Sequence, residues 1–420
     1  MVRMASKLTF GPIMTDIVEG INFPRMREER AARAKQVLKK HGIPAILVTG
    51  EPNLRYLVGF SWGEFQPWLS YALFFAEHDP VVFAHAGCYH QMQDQAPWIK
   101  QWRIARAWLQ SICGPEATQE EAQLLAQEIR NELKERGLAN EKLGIVSFDQ
   151  VTREALRKVG LTVIEAWPLL LEAGKIKTVD EINCLKMAAT FCSMGWHKFI
   201  EVCQPGMNTV QIHHIVSNAM IEAGVEHPGG GILSGPQGFE RNVSFVPRLL
   251  EWGDLVYYPL CGTSYMGYTA CLYRTFKVGQ RPTDKERGWF NKLKDRLDAC
   301  IEATKIGNTT ADAAKAFPPA STWGYKDEVE VLTVECGHGI GLLSLSPRVV
   351  NYNIPVINRQ WSLKHPQPFE EGMVIAYESL EGEHRVGGVR MENMVLVTKD
   401  GPEILDHFPR DEILVAGRIY

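Results

Sequence analysis

The sequence predicts a two-domain protein of mixed α/β (α+β) class. At 420 residues the chain exceeds what one hydrophobic core usually supports. Strand and helix patterns alternate up to residue 170, which indicates an α/β domain over residues 1–170. In residues 171–420, two helical segments precede β-rich segments that carry single polar residues inside apolar runs. We expect those polar residues to converge on one pocket of the second domain.

The N-terminal half alternates short apolar runs with amphipathic segments. Residues 23–41 are predicted to form a helix, because apolar residues recur at helical spacing between charged ones. A later helix is predicted to begin with Thr118 as N-cap and to end at Gly137. The other predicted elements are the strands AILVTG, LRYLVGF, KLGIVSF and LTVIEAWP, the hairpin YALFFAEHDPVVFA and the helix VTREALRKVG.

The C-terminal half opens with two helices and continues in β-rich segments. Thr178 and Glu181 form a capping-box pattern at the start of a long helix, and TVQIHHIVSNAMIEAG is the second helix. Residues 251–279 are predicted to form a hairpin that turns at GTSYMG, followed by a helix over 284–305. The last β segments are VEVLTVECGHGIGL, FEEGMVIAYESLEG and VGGVRMENMVLVTKDG, which contain His338, Glu378 and Glu392.

Composition and charge exclude several classes of partner. The net charge is −4, and acidic and basic residues are interspersed, which argues against nucleic acid and anionic membranes as partners. The nine cysteines are scattered without CxxC spacing, so neither a disulfide framework nor a zinc finger is indicated. No segment has the apolar length of a signal peptide or membrane span. We therefore expect a cytoplasmic protein that acts on a small molecule.

Five segments of the chain point to one protein family. They are, in order, GDLV, MGYTACLYRTF, GHGIGL, EEGMVIAYE and GGVRMENMVLVTKDGPEIL. These segments resemble the creatinase, prolidase and aminopeptidase P superfamily (peptidase family M24), whose fold is called pita-bread. The resemblance implies a creatinase-like N-terminal α/β domain and a C-terminal domain with a curved antiparallel sheet backed by helices. It also implies a homodimer.

The chain departs from this family at the metal ligands. The resemblance implies two divalent metals held by two aspartates, one histidine and two glutamates, and His338, Glu378 and Glu392 match the last three. Pro259 and Cys271 stand where the aspartates are expected. Proline has no side-chain donor, and a thiolate is soft where manganese or magnesium favours oxygen. The sequence therefore predicts that the two-metal hydrolytic centre is absent.

The metal-free branch of the family is matched only in part. Two further histidines expected of the peptidases fall, by local alignment, at Asn242 and Leu345. Creatinase-type enzymes use the histidine that aligns with Asn242 and a glutamate that aligns with Tyr273. Ectoine hydrolases also lack the full metal set and offer the closest precedent in kind. The resemblance thus implies the fold and leaves the reaction open.

His338, Glu378 and Glu392 are the predicted catalytic residues. His338 lies between glycines, so its backbone can approach a ligand closely. Two like charges inside apolar runs raise at least one carboxyl pKa, and such a carboxylic acid beside a histidine is a workable acid/base pair for C–N cleavage. The alternatives are a histidine bonded to a strand carbonyl and a structural ion pair of the glutamates with Arg390 or Arg274.

Cys271 and Cys261 allow three interpretations. Cys271 could join His338, Glu378 and Glu392 in holding one divalent metal (Zn, Fe or Mn), which is the only cofactor left open. One of the cysteines could instead be a nucleophile activated by His338, or both could be small buried apolar residues. The predicted substrate-binding residues are Tyr258, Cys261, Cys271, Tyr273, Asn242 and Arg390.

Three functions follow as hypotheses. The first is a non-peptidase hydrolase that cleaves a C–N bond in a small zwitterionic, guanidino or amide compound, similar to creatinase or ectoine hydrolase. The second is an Xaa-Pro-type peptidase or lyase rebuilt around one metal. The third is a binding module without catalysis, which would have no reason to keep His338 and both glutamates in one pocket.

Overall fold

The computed structural model describes residues 20–60, 69–239, 247–331, 334–343 and 353–417. They form two compact units, an N-terminal one over Phe23–Gly174 and a C-terminal one that contains Lys175–Gly341 and 353–417. In the part of the chain that is described, no helix is long and apolar enough to cross a membrane.

The N-terminal unit is built on a mixed six-stranded sheet. Its helices are α1 (Phe23–Lys40), α2 (Glu51–Val58), α3 (Tyr89–Gln95), α4 (Gln110–Glu135), α5 (Gln150–Lys158) and α6 (Trp167–Lys175). Its strands are β1 (Ala45–Thr49), β2 (Tyr71–Phe75), β3 (Val81–Ala84), β4 (Gln101–Ile104), β5 (Lys142–Val146) and β6 (Thr162–Glu165). The strand order is β4-β3-β2-β1-β5-β6, and β1, β5 and β6 are parallel. The predicted α/β arrangement is confirmed.

Two local predictions in this unit are wrong. LRYLVGF is not a strand but belongs to α2, which starts after Gly50 (φ +94°) and carries Pro52 in its first turn, where proline fits a helix. Thr118 is not an N-cap, because α4 begins at Gln110 and continues across a kink at Gly114. The Thr118 hydroxyl donates to the Gly114 carbonyl oxygen at 2.7 Å.

The C-terminal unit is built on a larger sheet backed by helices. Its helices are α7 (Val179–Val202), α8 (Thr209–Glu222), α9 (Asp284–Ala303), α10 (Thr310–Ala314) and α11 (Arg359–Lys364). Its strands are β7 (Leu233–Ser234), β8 (Leu255–Pro259), β9 (Ser264–Tyr265), β10 (Tyr268–Thr269), β11 (Tyr273–Val278), β12 (Cys336–Gly339), β13 (Asn353–Ile357), β14 (Val374–Glu383), β15 (Gly387–Thr398), β16 (Gly401–Ile404) and β17 (Leu414–Ala416). The main strand order is β13-β12-β14-β15-β11-β8-β7, with β16 beside β15 and β17 beside β11.

This sheet is antiparallel except where β17 runs parallel to β11. The predicted class, with an antiparallel C-terminal sheet backed by helices, is confirmed, and so is the capping box of Thr178 and Glu181 on α7. One face of β14 and β15 is apolar: Tyr377 and Met391 pack with Leu293 and Leu297 of α9. Because alternate strand residues point to opposite faces, Glu378 and Glu392 lie on the other face.

Candidate active site

Glu378 and Glu392 form the centre of the candidate site. They are directly opposite in the β14–β15 register, and only 1% and 0% of their surfaces are exposed. Opposed like charges destabilise a sheet, and burial strengthens the repulsion. Such a pair therefore needs a proton, a cation or strong donors close by.

His338 lies on the neighbouring strand β12, whose residues pair with β14. Its Nε2 is 3.5 Å from Glu392 Oε1, and its Nδ1 is 3.0 Å from the Gly339 carbonyl oxygen. A carbonyl oxygen only accepts, so the ring donates from Nδ1 and turns Nε2 toward the carboxylates. The alternative of a histidine bonded to a strand carbonyl is therefore true of Nδ1, while Nε2 faces Glu392.

Tyr273 at the start of β11 supplies a donor to the pair. It is opposite Glu392 in the register, and its hydroxyl donates to Glu378 Oε2. Burial raises the pKa of Tyr273 well above its usual value, and the charges of Glu378 and Glu392 raise it further. Tyr273 therefore stays protonated and serves as a neutral hydrogen-bond donor.

Three thiols surround the two carboxylates. Cys271 Sγ is 3.1 Å from Cys261 Sγ, which lies 3.3 Å from Glu392 Oε2. Cys336 Sγ donates to Glu378 Oε1 at 3.0 Å. Burial raises the pKa of the Cys271 thiol well above its usual value, so a metal-free Cys271 is a neutral thiol and a poor nucleophile.

Sequence reasoning missed Cys336. It stands two residues before His338, so a period of two on β12 places both side chains on the same face. This alternation is the sequence signal that would have predicted Cys336 at the site. The residue belongs to the environment of Glu378 because Cys336 and Glu378 are also opposite in the β12–β14 register.

Arg390 lies two residues before Glu392 on the same strand face. The side chain is 1% exposed, and its guanidinium carbon is 5.5 Å from the centre of the Tyr257 ring. Nη2 donates to the Phe239 carbonyl oxygen at 3.2 Å, whereas Nε and Nη1 have no hydrogen-bond partner among the described residues. A buried cation with two donors that no described residue uses is a place where an anionic group can bind.

One of the predicted substrate-binding residues, Tyr258, is not brought to the cluster. Tyr258 points to the opposite face, where its hydroxyl lies 3.0 Å from His213 Nδ1 and its ring packs on Phe199. Asn242 lies outside the described residues, as does Leu345. Arg274 pairs with Asp406 rather than with either glutamate of the site, so the predicted alternative of an ion pair with Arg274 is wrong.

The donors of the site do not fit the two-metal carboxylate centre that the resemblance implies. Pro259 offers no side-chain ligand, and Cys271 offers sulfur. Among the described residues, the donor atoms instead form two triads, each within 4.8 Å: His338, Glu378 and Glu392, and Cys261, Cys271 and Glu392. The four ligands predicted for a single metal are thus divided between two triads that share Glu392.

The fold and the site define the class of protein: a two-domain α/β protein whose C-terminal antiparallel sheet gathers a histidine and two glutamates on one face. Residues 183–399 match the family described as metallopeptidase family M24, and residues 30–163 match the creatinase/prolidase N-terminal domain. The chain belongs to metallopeptidase family M24. The predicted superfamily and the class of hydrolases acting on C–N bonds are confirmed at the level of the family.

Known relatives and solved structures agree with this family. The chain is 28% identical over 240 residues to an Xaa-Pro dipeptidase of Pyrococcus furiosus, which covers 56% of this chain and 64% of that protein. It is 23% identical to the uncharacterized peptidase YqhT of Bacillus subtilis, over 89% of this chain and 96% of that protein. An Xaa-Pro dipeptidase from Bacillus anthracis has the same fold, with a TM-score of 0.73, 22% identity and coverage of 93% and 99% of the two chains.

Proposed function

We propose that the chain is a hydrolase of small C–N substrates of the Xaa-Pro dipeptide type, working around one divalent metal ion that Glu392 helps to hold, beside His338 and Glu378. The observation that carries this proposal is the gathering of these three side chains, all buried, with donor atoms within 4.8 Å. An inert binding module gains nothing from two buried carboxylates held in mutual repulsion. The similarity to the Xaa-Pro dipeptidase of Pyrococcus furiosus supports a dipeptide as substrate.

The relatives favour this function over the non-peptidase reaction that the sequence predicted first. Those named above are dipeptidases or peptidases. The match to the Pyrococcus furiosus enzyme covers less than two thirds of that protein, so its activity supports the proposal without transferring to this chain.

The residues of the site have distinct roles in holding an ion and in orienting the carboxylates. Glu392 belongs to both donor triads, so it is the residue most suited to hold an ion, with either His338 and Glu378 or Cys261 and Cys271 completing three ligands. When bound, such an ion polarises the scissile carbonyl group and acidifies a water molecule. Tyr273 and Cys336 donate to the two oxygens of Glu378, which keeps that carboxylate oriented.

Arg390 supports a substrate with a free carboxylate. It is buried beside the cluster, and two of its donors have no partner among the residues that the structure describes, which suits the carboxylate of a dipeptide or of another zwitterion. The ring of Tyr257 packs against the guanidinium and limits its movement.

A metal-free reaction of the creatinase or ectoine-hydrolase kind is the second candidate. The observation that favours it is the replacement of the expected aspartates by Pro259 and Cys271. In this case His338 would move protons, and Tyr273 would help to keep Glu378 in place.

The test is hydrolysis by the purified full chain before and after treatment with a chelator. Xaa-Pro dipeptides, creatine and ectoine are the substrates, and Zn²⁺, Fe²⁺ or Mn²⁺ is added back. We expect Xaa-Pro dipeptides to be cleaved, cleavage to stop with the chelator, and about one ion per chain to restore it. A need for two ions per chain, or cleavage that survives the chelator, would overturn the proposal; creatine or ectoine cleavage by the metal-free chain would select the second candidate.

Two variants make the assay specific. Glu392→Gln keeps the shape of the side chain and is expected to abolish restoration by metal. Glu403→Gln, which alters an exposed partner of Lys186, is the matched control and should behave like the wild type. The homodimer and the cytoplasmic location stay predictions, and sedimentation of the purified chain would test the first.

A further inference from the structure

We propose that Cys261, Cys271 and Glu392 hold the metal ion of this site and make it selective for a thiophilic metal such as Zn²⁺. The inference deepens the proposed function by naming the ion's ligands and leaves His338 and Glu378 as the proton-handling pair. The family resemblance implies a site for hard metals, in which oxygen donors dominate. The site proposed for this chain has two sulfur donors instead.

The backbone explains how the two thiols meet. The Leu260 amide donates to the Leu272 carbonyl oxygen and the Gly262 amide to the Ala270 carbonyl oxygen, both at 2.9 Å. These two bonds continue the β8–β11 pairing beyond Pro259 and set Cys261 beside Cys271. The sulfur atoms are consequently 3.1 Å apart on the face that carries Glu392.

The third ligand reaches the same point from another strand. Glu392 Oε2 is 3.3 Å from Cys261 Sγ, and the three donor atoms lie within 4.8 Å of one another. Thiols are weak hydrogen-bond donors, so such contacts alone give little reason for two cysteines to meet at a buried carboxylate. Two sulfur ligands and one carboxylate that leave a fourth position open form the kind of set used by catalytic zinc.

The other triad is less suited to the ion because its members are already engaged. Glu378 accepts from Tyr273 at one oxygen and from Cys336 at the other. If Glu378 bound a metal ion, its two oxygens would have to coordinate the ion and accept from Tyr273 and Cys336 at the same time. Glu392, by contrast, has one oxygen near Cys261 and the other near His338, so it joins the thiol pair to the histidine.

Metal preference follows from the donor chemistry. Thiolates select Zn²⁺ and other soft or borderline ions, whereas Mn²⁺ and Mg²⁺ favour carboxylates, carbonyls and water. We therefore expect the chain to bind Zn²⁺ in preference to Mn²⁺, and Co²⁺ substitution to give the thiolate-to-metal absorption that a site made only of oxygen and nitrogen donors lacks.

The experiment is a metal-binding measurement on the full chain, loaded with Zn²⁺, Mn²⁺ or Co²⁺ alone. The wild type should take up about one Zn²⁺ and show the charge-transfer band with Co²⁺. In Cys261→Ser and in Cys271→Ser one thiolate ligand remains, so the band should weaken, and Zn²⁺ should bind more than about tenfold more weakly. Cys300→Ser, which removes a buried thiol that donates to the Ala313 carbonyl oxygen, is the control and should keep both.

A further variant, and mass measurement of the alkylated wild type, keep the test decisive if the serine variants fold poorly. Cys271→Asp should weaken the band and shift preference toward Mn²⁺. In the wild type, Zn²⁺ should protect Cys261 from alkylation. Equal affinity for Mn²⁺ and Zn²⁺ without the band, a Cys261–Cys271 disulfide in freshly purified protein, or loss of the ion in Glu378→Gln but not in Cys271→Ser would overturn the inference. Because the readout is binding, an inactive chain that shows the band would refute the proposed hydrolase and leave the site standing.

Discussion

Glu378 and Glu392 are directly opposite across β14 and β15 and are almost completely buried. Two carboxylates so placed repel each other, and Tyr273, Cys336 and Cys261 donate to them from three other segments. A pair that is unfavourable for folding and surrounded by donors is a feature expected of a functional site rather than of a structural core.

Replacing either glutamate by glutamine should therefore separate activity from stability. We expect Glu378→Gln to lower hydrolysis on the order of 10²–10⁴-fold, because a proton-transfer group is lost. In the metal-free chain the same change removes one of two opposed carboxylates. The free energy of unfolding should therefore stay equal or rise by about 1 kcal/mol. Hydrolysis and calorimetry on the same preparation check both, and a variant that is fully active or clearly less stable would contradict the assignment.

Tyr273→Phe removes the hydroxyl that donates to Glu378 Oε2. We expect destabilisation of about 1–3 kcal/mol, because a buried carboxylate loses a donor, together with a fall in kcat. Tyr268→Phe is the matched control, since its buried hydroxyl donates to Glu181 Oε1 at 2.9 Å, away from the cluster. It should lose similar stability in denaturant unfolding and keep its kcat; equal losses of kcat in both variants would show that Tyr273 is only structural.

Glu335 should make stability depend on pH. Its Oε1 is 2.7 Å from Arg296 Nη1, yet burial outweighs this attraction and raises the pKa of Glu335 from 4.5 to about 8. A carboxyl whose folded pKa is raised is protonated more readily in the folded state, so its contribution is complete below about pH 4.5 and is lost as pH rises through about 8.

The measurement is denaturant unfolding of the wild type and Glu335→Gln across that range. The glutamine at this position cannot ionise. The free energy of unfolding of the variant should therefore fall less than that of the wild type between pH 5 and pH 9, with a difference of roughly a few kcal/mol at the alkaline end. Glu403→Gln, on the exposed surface, should follow the wild type. Parallel curves for the wild type and Glu335→Gln would show that the attraction of Arg296 dominates instead.

The sequence predicted the parts of the site that depend on strand periodicity. Single glutamates in apolar runs and a glycine-flanked histidine were enough to predict that Glu378, Glu392 and His338 share a pocket. A one-residue change of register reverses the face of a strand residue: Tyr258, which the sequence predicted to bind substrate, faces away, and Tyr257 faces the site. The Cys261–Cys271 contact depends on two backbone hydrogen bonds past the end of β8, which no local pattern reveals.

Arg390 should set the preference for a free carboxylate. Because Nε and Nη1 have no partner among the described residues, a carboxylate would gain charge-assisted hydrogen bonds worth about 1.5–3 kcal/mol. We expect Arg390→Met to raise KM for an Xaa-Pro dipeptide on the order of 10–100-fold and to leave KM for the corresponding dipeptide amide unchanged. The pair of substrates is the control, since a general distortion of the site would affect both. Unfolding of the same variant should show equal or higher stability, because it removes a buried guanidinium with two donors that no described residue accepts from. A large loss of stability with parallel changes in KM would mean that Arg390 supports the fold and not the substrate.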